Sequence, residues 1–177
     1  MKKARLFGLQ FYITLFIAGV VTTLAHELGH WAVGKLFGFE MSFRLNGVST
    51  LSPVIPFSRA MFDLGGPAVT VLQGVVAYAV LKRTQSQLAF AFLYQAAFMR
   101  VVASLVSLYF LNDEARLSLY FGLPAWTLPA LVSGLLVVLA WAGSKRIGTT
   151  WKDQLLCYLV ASVTVAAVVG TDMVLFR

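Results

Sequence analysis

Five apolar stretches, each close to the length that a bilayer demands, decide what this chain can become. They fall at residues 6–32, 60–81, 88–111, 125–142 and 154–176. A helix needs roughly 20 apolar residues to cross the hydrocarbon core, where lipid satisfies no backbone polar group. Composition points the same way. Hydrophobic residues make up 59% of the 177 and charged residues only 12%, against about 25% charged in a soluble domain. Mean hydropathy is +0.82. Such a chain cannot clothe a water-facing surface. The expected fold is an all-α polytopic membrane protein with about five transmembrane helices, four to six at the limits. It is expected to form a single domain over residues 1–177 with the lipid bilayer as its surroundings, and no repeat or low-complexity segment interrupts it.

The net charge is +7. Too little polar surface remains for nucleic acid to be a partner. In a membrane protein, excess Lys and Arg set orientation by collecting on the cytoplasmic side. The N-terminus (Lys2, Lys3, Arg5), the 82–87 loop (Lys82, Arg83) and the 143–153 loop (Lys145, Arg146, Lys152) together carry eight; Lys35, Arg44, Arg59, Arg116 and Arg177 make five on the other side. The bias puts the N-terminus in the cytoplasm of a multi-pass protein, in a plasma membrane or a bacterial inner membrane. The basic start followed by an apolar run imitates a secretory leader, but no small-x-small cleavage site precedes residue 26, so an uncleaved first span is expected. The single cysteine, Cys157, excludes an internal disulfide and any Cys-only metal site.

Residues 39–58 break the apolar pattern. Residues 41–51 alternate loosely around Asn46-Gly47, a dipeptide favoured in tight hairpins, and Pro53 and Pro56 forbid a regular helix there. The expectation is a short membrane-edge β-hairpin or re-entrant loop after the first span. Gln73, Gln95 and Arg100 are polar groups inside spans. Arg100 requires a carboxylate or carbonyl partner.

The first span ends in His26-Glu27-Leu28-Gly29-His30. Residues four apart share a helix face, so both imidazoles can reach one metal ion with Glu27 beside them. These are the only two histidines of the chain. A hydrolytic zinc ion takes three protein ligands and a water whose pKa it lowers toward 7. His26 and His30 are candidate ligands and Glu27 the candidate general base. The plain alternative is a chance pattern, with both histidines hydrogen-bonded in a helix bundle. Ionisable residues in a span are costly, which favours a function. The third ligand must be a carboxylate. Glu40 could reach only if the chain doubled back, Asp153 falls on the opposite side, and Asp172 suits a neighbouring cation. Asp113 and Asp63, both at helix ends at the right depth, stand as equal candidates. Asp113 could instead be an N-cap or loop residue, and Asp63 a helix-start charge or the partner of Arg100.

Thr23-Leu24-Ala25-His26-Glu27-Leu28-Gly29-His30-Trp31 resembles the active-site helix of the site-2 protease family of intramembrane zinc metalloproteases. Leu64-Gly65-Gly66-Pro67-Ala68-Val69 resembles the Gly-Pro segment of that family. Asn112-Asp113-Glu114-Ala115-Arg116-Leu117, followed by Gly122-Leu123-Pro124, is similar to the later Asp motif of its small members, with Asp113-Glu114 where Asp-Gly is usual. The resemblance implies Asp113 as third zinc ligand beside His26 and His30, with Glu27 as catalytic base. It implies a compact member without a PDZ-like domain, cutting a transmembrane or membrane-proximal segment of a membrane protein substrate. It also implies that the β element near the site can hold that substrate extended, and that Gly65-Gly66-Pro67 packs close to the catalytic helix. The competing expectations are a non-catalytic membrane protein of the same architecture that binds or retains a partner, and a membrane metallohydrolase acting on something other than peptide. Substrate, regulator and oligomeric state have no signal in the sequence.

Overall fold

The computed structural model describes residues 7–52 and 55–176. Six helices and one hairpin follow in the order α1 (Leu9–Leu36), β1 (Met41–Arg44), β2 (Gly47–Thr50), α2 (Pro56–Thr84), α3 (Gln87–Val106), α4 (Asp113–Tyr120), α5 (Thr127–Ile147) and α6 (Trp151–Leu175). All but α4 are long and apolar enough to cross a membrane, five candidate spans in all. The protein is therefore an all-α, multi-pass membrane fold with one small antiparallel sheet.

α1 has 28 residues, about 42 Å at 1.5 Å per residue, so it is longer than the hydrocarbon core is thick. It stops at a glycine. Gly38 takes φ +73°, its N–H donates to the Lys35 carbonyl, and the Phe39 N–H donates to the Gly34 carbonyl, both at 3.0 Å. That paired closure needs a left-handed residue, which Gly supplies without Cβ strain. One stripe of α1 faces outward with Leu9, Ile13, Ile17 and Val21 exposed, as a lipid-facing surface demands. The opposite stripe packs on α2, α3 and α6.

The hairpin forms, but its turn is displaced from the expected one. Arg44 pairs with Gly47, so the two-residue loop is Leu45-Asn46 and Gly47 opens β2. The described residues with positive φ are Gln85, Gly38, Gly122 and Gly148, so this loop is not the mirror-image turn that Asn-Gly favours. Asp172 explains the choice. It accepts from the Asn46 N–H at 3.2 Å and pairs with Arg44 Nη2 at 3.2 Å, tying the hairpin tip to the end of α6. Asp172 thus has the neighbouring cation expected of it.

Pro56 does not lie in an irregular loop. It is the first residue of α2, where its missing N–H costs nothing; Pro53 lies outside the described residues. The polar stretch after the third span opens the short helix α4, with Asp113 at its start. Asn112 caps α4 by accepting from the Ala115 N–H at 2.8 Å, which takes the N-cap role from Asp113. The loop expected over 143–153 shrinks to three residues between α5 and α6. Thr150 and Asp153 form a reciprocal capping box at the start of α6, so Asp153 has a structural post far from the histidines.

α1 and α2 approach backbone to backbone. A Cβ on Gly29 would sit 2.5 Å from the Gly65 carbonyl oxygen, and one on Gly65 equally close to that of Gly29. Only glycine at both positions permits this contact, so the Gly-Pro segment does lie against the helix that carries the histidines. The apolar core lies toward the other end of α1. There Phe11, Leu15 and Ala18 pack with Leu81, Phe90, Leu93, Leu136 and Cys157.

Candidate metal centre

The last third of α1 turns His26, Glu27 and His30 inward; they are 4%, 7% and 4% exposed. Asp113, the first residue of α4, comes to meet them. One ligand atom from each of His26, His30 and Asp113 lies within 4.8 Å of the others, the only such group of three or more among the described residues. The separations are tighter still. His26 Nε2 and His30 Nε2 are 3.2 Å apart. Asp113 Oδ2 is 3.2 Å from His30 Nε2 and 3.4 Å from His26 Nε2.

The outer nitrogens fix the protonation of the rings. His30 Nδ1 lies 2.7 Å from the Phe62 carbonyl oxygen. A carbonyl only accepts, so Nδ1 carries the hydrogen, and in the neutral ring Nε2 keeps a lone pair. His26 Nδ1 lies 3.0 Å from Thr70 Oγ1. When that hydroxyl donates its hydrogen to the Gly66 carbonyl at 3.2 Å it accepts from His26, and in that tautomer His26 Nε2 presents a lone pair. With both rings neutral, two imidazole lone pairs and a carboxylate oxygen point at one spot. Three acceptors this close repel unless a proton or a metal ion lies among them.

The spacing fits a tetrahedral divalent ion. Donors bound at about 2.0–2.2 Å in a tetrahedron stand about 3.3–3.6 Å apart. Two imidazoles and one carboxylate form a donor set of hydrolytic zinc sites, which leave a fourth position open. Thr70 and the Phe62 carbonyl, both on α2, act as the outer partners that such histidines require to hold their tautomer.

Asp63 does not join the cluster. Both its oxygens are held by guanidinium groups, Oδ1 by Arg116 at 2.8 Å and Oδ2 by Arg116 at 3.0 Å and Arg59 at 3.3 Å. Asp63 is not the partner of Arg100, one of the alternatives open to it. Arg100 instead donates to Glu114 Oε1 at 2.8 Å, a buried pair joining α3 to α4. Burial disfavours the charge of Arg116, but Asp63 and Asp113 outweigh it and raise its pKa above the ordinary arginine value. Glu40 stays at the surface, where its N–H donates to Ser52.

Gly66 lies against both imidazoles. A Cβ there would run into the Nε2 atoms of His26 and His30. A cavity of about 240 Å³ lies beside the cluster, lined by Thr23, one turn before Glu27, by Arg100, and by Asn112, the neighbour of Asp113. The larger cavity of about 450 Å³ lies between α3, α5 and α6 around Trp141 and Trp151 and includes none of the cluster residues.

Sequence reasoning missed Thr70, Arg116 and Glu114. Thr70 had a weak signal, four residues after Gly66 on the face of α2 that meets α1. Arg116 had one too, since i and i+3 on a helix are neighbours and Asp113 is three residues before it.

Comparison of the chain with models of known protein families, with characterised proteins and with solved structures found no match.

Proposed function

We propose that the protein is an intramembrane zinc endopeptidase that cleaves a transmembrane or membrane-proximal segment of another protein. The observation that carries the reading is the meeting of two imidazole Nε2 atoms and one carboxylate oxygen at tetrahedral spacing, with Glu27 buried one residue from His26. The likeness of residues 23–38 and 112–124 to site-2 protease motifs supports the same reading.

His26, His30 and Asp113 would hold the zinc ion, which when bound supplies Lewis acidity to a water and to the scissile carbonyl. Thr70 and the Phe62 carbonyl keep each imidazole turned inward in its neutral form. The Glu27 carboxylate accepts the proton of the attacking water and then returns it to the departing amine nitrogen, so one group serves as base and then as acid. Burial among helices keeps bulk water away while the proton is in transit. A peptide must reach Glu27 unwound, because a helical backbone keeps its carbonyls in internal hydrogen bonds. The hairpin β1–β2, anchored by Asp172, offers strand edges on which such a segment can be held extended. The charge bias supports an orientation with the N-terminus in the cytoplasm and the cluster toward the opposite face.

The test uses purified protein in vesicles with a library of single-span peptides, and cleavage is read by mass spectrometry. Wild-type protein is expected to carry zinc and to cut. Glu27→Gln is expected to keep the zinc and the fold and to lose about 10²–10⁴-fold in rate. Undiminished cleavage in that variant, or a wild type unable to bind zinc, defeats the reading.

A further inference from the structure

Arg116 is the most fully engaged cation near the cluster. Its Nε and Nη2 donate to the two oxygens of Asp63 at 3.0 and 2.8 Å, a forked match of guanidinium to carboxylate. Its Nη2 also donates to Asp113 Oδ1, and its Nη1 to the Leu111 carbonyl at 2.7 Å. Asp63 is 1% exposed and belongs to α2, the helix whose glycines lie against α1. One guanidinium therefore joins the rigid α1–α2 pair to the short helix that brings Asp113.

We infer that Arg116, anchored on Asp63, is a positioning residue that presents Asp113 to the metal through a single oxygen. The inference rests on the zinc reading above. Asp113 opens an eight-residue helix that is not among the candidate spans. Ala115, Leu117 and Ser118 bury one face of it and Glu114 pairs with Arg100. Neither contact fixes how the Asp113 carboxylate turns about its own side-chain bonds, which Arg116 does. With Oδ1 bound to Arg116, only Oδ2 faces the imidazoles, at 3.2 and 3.4 Å. A carboxylate free to turn can offer both oxygens to a cation, as those at calcium sites do. At a hydrolytic centre the second oxygen would fill the position that the water needs. Asp63, which Arg59 also reaches at 3.3 Å, offsets part of the charge of Arg116, so a metal ion meets a shielded guanidinium and not a bare positive charge. Lysine cannot replace this arrangement, because an ammonium has no fork to hold two carboxylates in fixed directions.

The test is metal titration, not turnover. Wild type, Arg116→Ala, Arg116→Lys and Asp63→Asn are purified in detergent, stripped with chelator and titrated with Co²⁺, and visible spectra are taken at saturation. Wild type is expected to give the intense absorption of a four-coordinate centre. Arg116→Ala is expected to bind about 10–100-fold more weakly and to lose intensity at saturation as the freed Oδ1 raises the coordination number. Arg116→Lys is expected to change the spectrum in the same direction, and Asp63→Asn to fall between it and wild type. Wild-type affinity and spectra in all three variants overturn the inference and leave the zinc reading standing. Weaker binding with an unchanged spectrum also overturns it, since Arg116 would then act only as a charge. A wild type that takes up neither Co²⁺ nor Zn²⁺ defeats the zinc reading itself. If Arg116→Ala does not fold by size exclusion and thermal melting, Arg116→Lys and Asp63→Asn decide the question on the same spectra.

Discussion

The two halves of α1 face the same way and meet opposite chemistry. The first half buries Phe11, Leu15 and Ala18 against Phe90, Leu93 and Leu136. The second half buries Thr22, Thr23, His26, Glu27 and His30 and meets Thr70, the Phe62 carbonyl and Asp113. One helix stripe thus changes from a packed apolar seam to a polar cluster without a break in the backbone. The first half makes the contacts that a bundle needs to stay together. The second spends burial on groups that are costly to desolvate, and it is held in place by glycines and ion pairs instead of by apolar volume. Damage to one half should therefore spare the property carried by the other.

The strongest way to break that comparison is to crowd the polar half. Gly66→Ala places a methyl group against the two Nε2 atoms, whereas Gly134 on α5 has nothing within 4 Å of an added Cβ. Gly66→Ala is expected to abolish zinc binding, measured as metal content after dialysis. Gly134→Ala is expected to keep the metal and, by helix propensity, to gain up to about 1 kcal/mol in stability. If Gly66→Ala retains a full complement of zinc, the tight seat between α2 and the imidazoles is not needed for the site.

The apolar half calls for the converse change. Leu93 is fully buried in the core, and Leu93→Ala is expected to cost about 2–5 kcal/mol through lost burial and the cavity left behind. Zinc stoichiometry in the folded fraction should stay at the wild-type value. A melt in detergent with metal analysis of the same sample checks both. Loss of zinc from well-folded Leu93→Ala would mean that the halves are coupled.

The same division explains what could be read from the chain. Apolar length gave five spans within a few residues, because the bilayer imposes one strong requirement on every span. His26, Glu27 and His30 were legible because a helix makes spacing into geometry. Depth alone did not single out Asp113, since Asp63 satisfied the same argument; the resemblance of residues 112–124 favoured Asp113, and in the fold the fork of Arg116 on Asp63, 53 positions apart in sequence, engages the competitor elsewhere. Asp113 could be placed at a helix end, but α4 as a separate short helix was hidden by its polar start, and its cap is Asn112, one residue earlier. The hairpin turn was placed one residue late because Asp172, 126 positions from Asn46, outweighs the local preference of Asn-Gly. For Asp63 and for the hairpin the missing information is a side-chain contact between residues far apart in the chain, which local pattern does not carry; the cap of α4 is local.

The smallest expected effect lies at the hairpin, where the polar half meets the surface. Arg44 pairs with Asp172 at 3.2 Å, but its side chain is 41% exposed, so the pair is screened and the loss from Asp172→Asn should be about 0–1 kcal/mol. Asparagine can still accept from the Asn46 N–H, so the tip keeps its backbone anchor and loses only the charge. Melting temperature and zinc content should hardly move. If the hairpin edge holds the substrate, KM for a cleaved single-span peptide should rise modestly with kcat unchanged, because a looser tip weakens ground-state and transition-state binding alike. A fall in kcat with KM unchanged would place the hairpin in the chemistry of the polar half instead of in peptide capture.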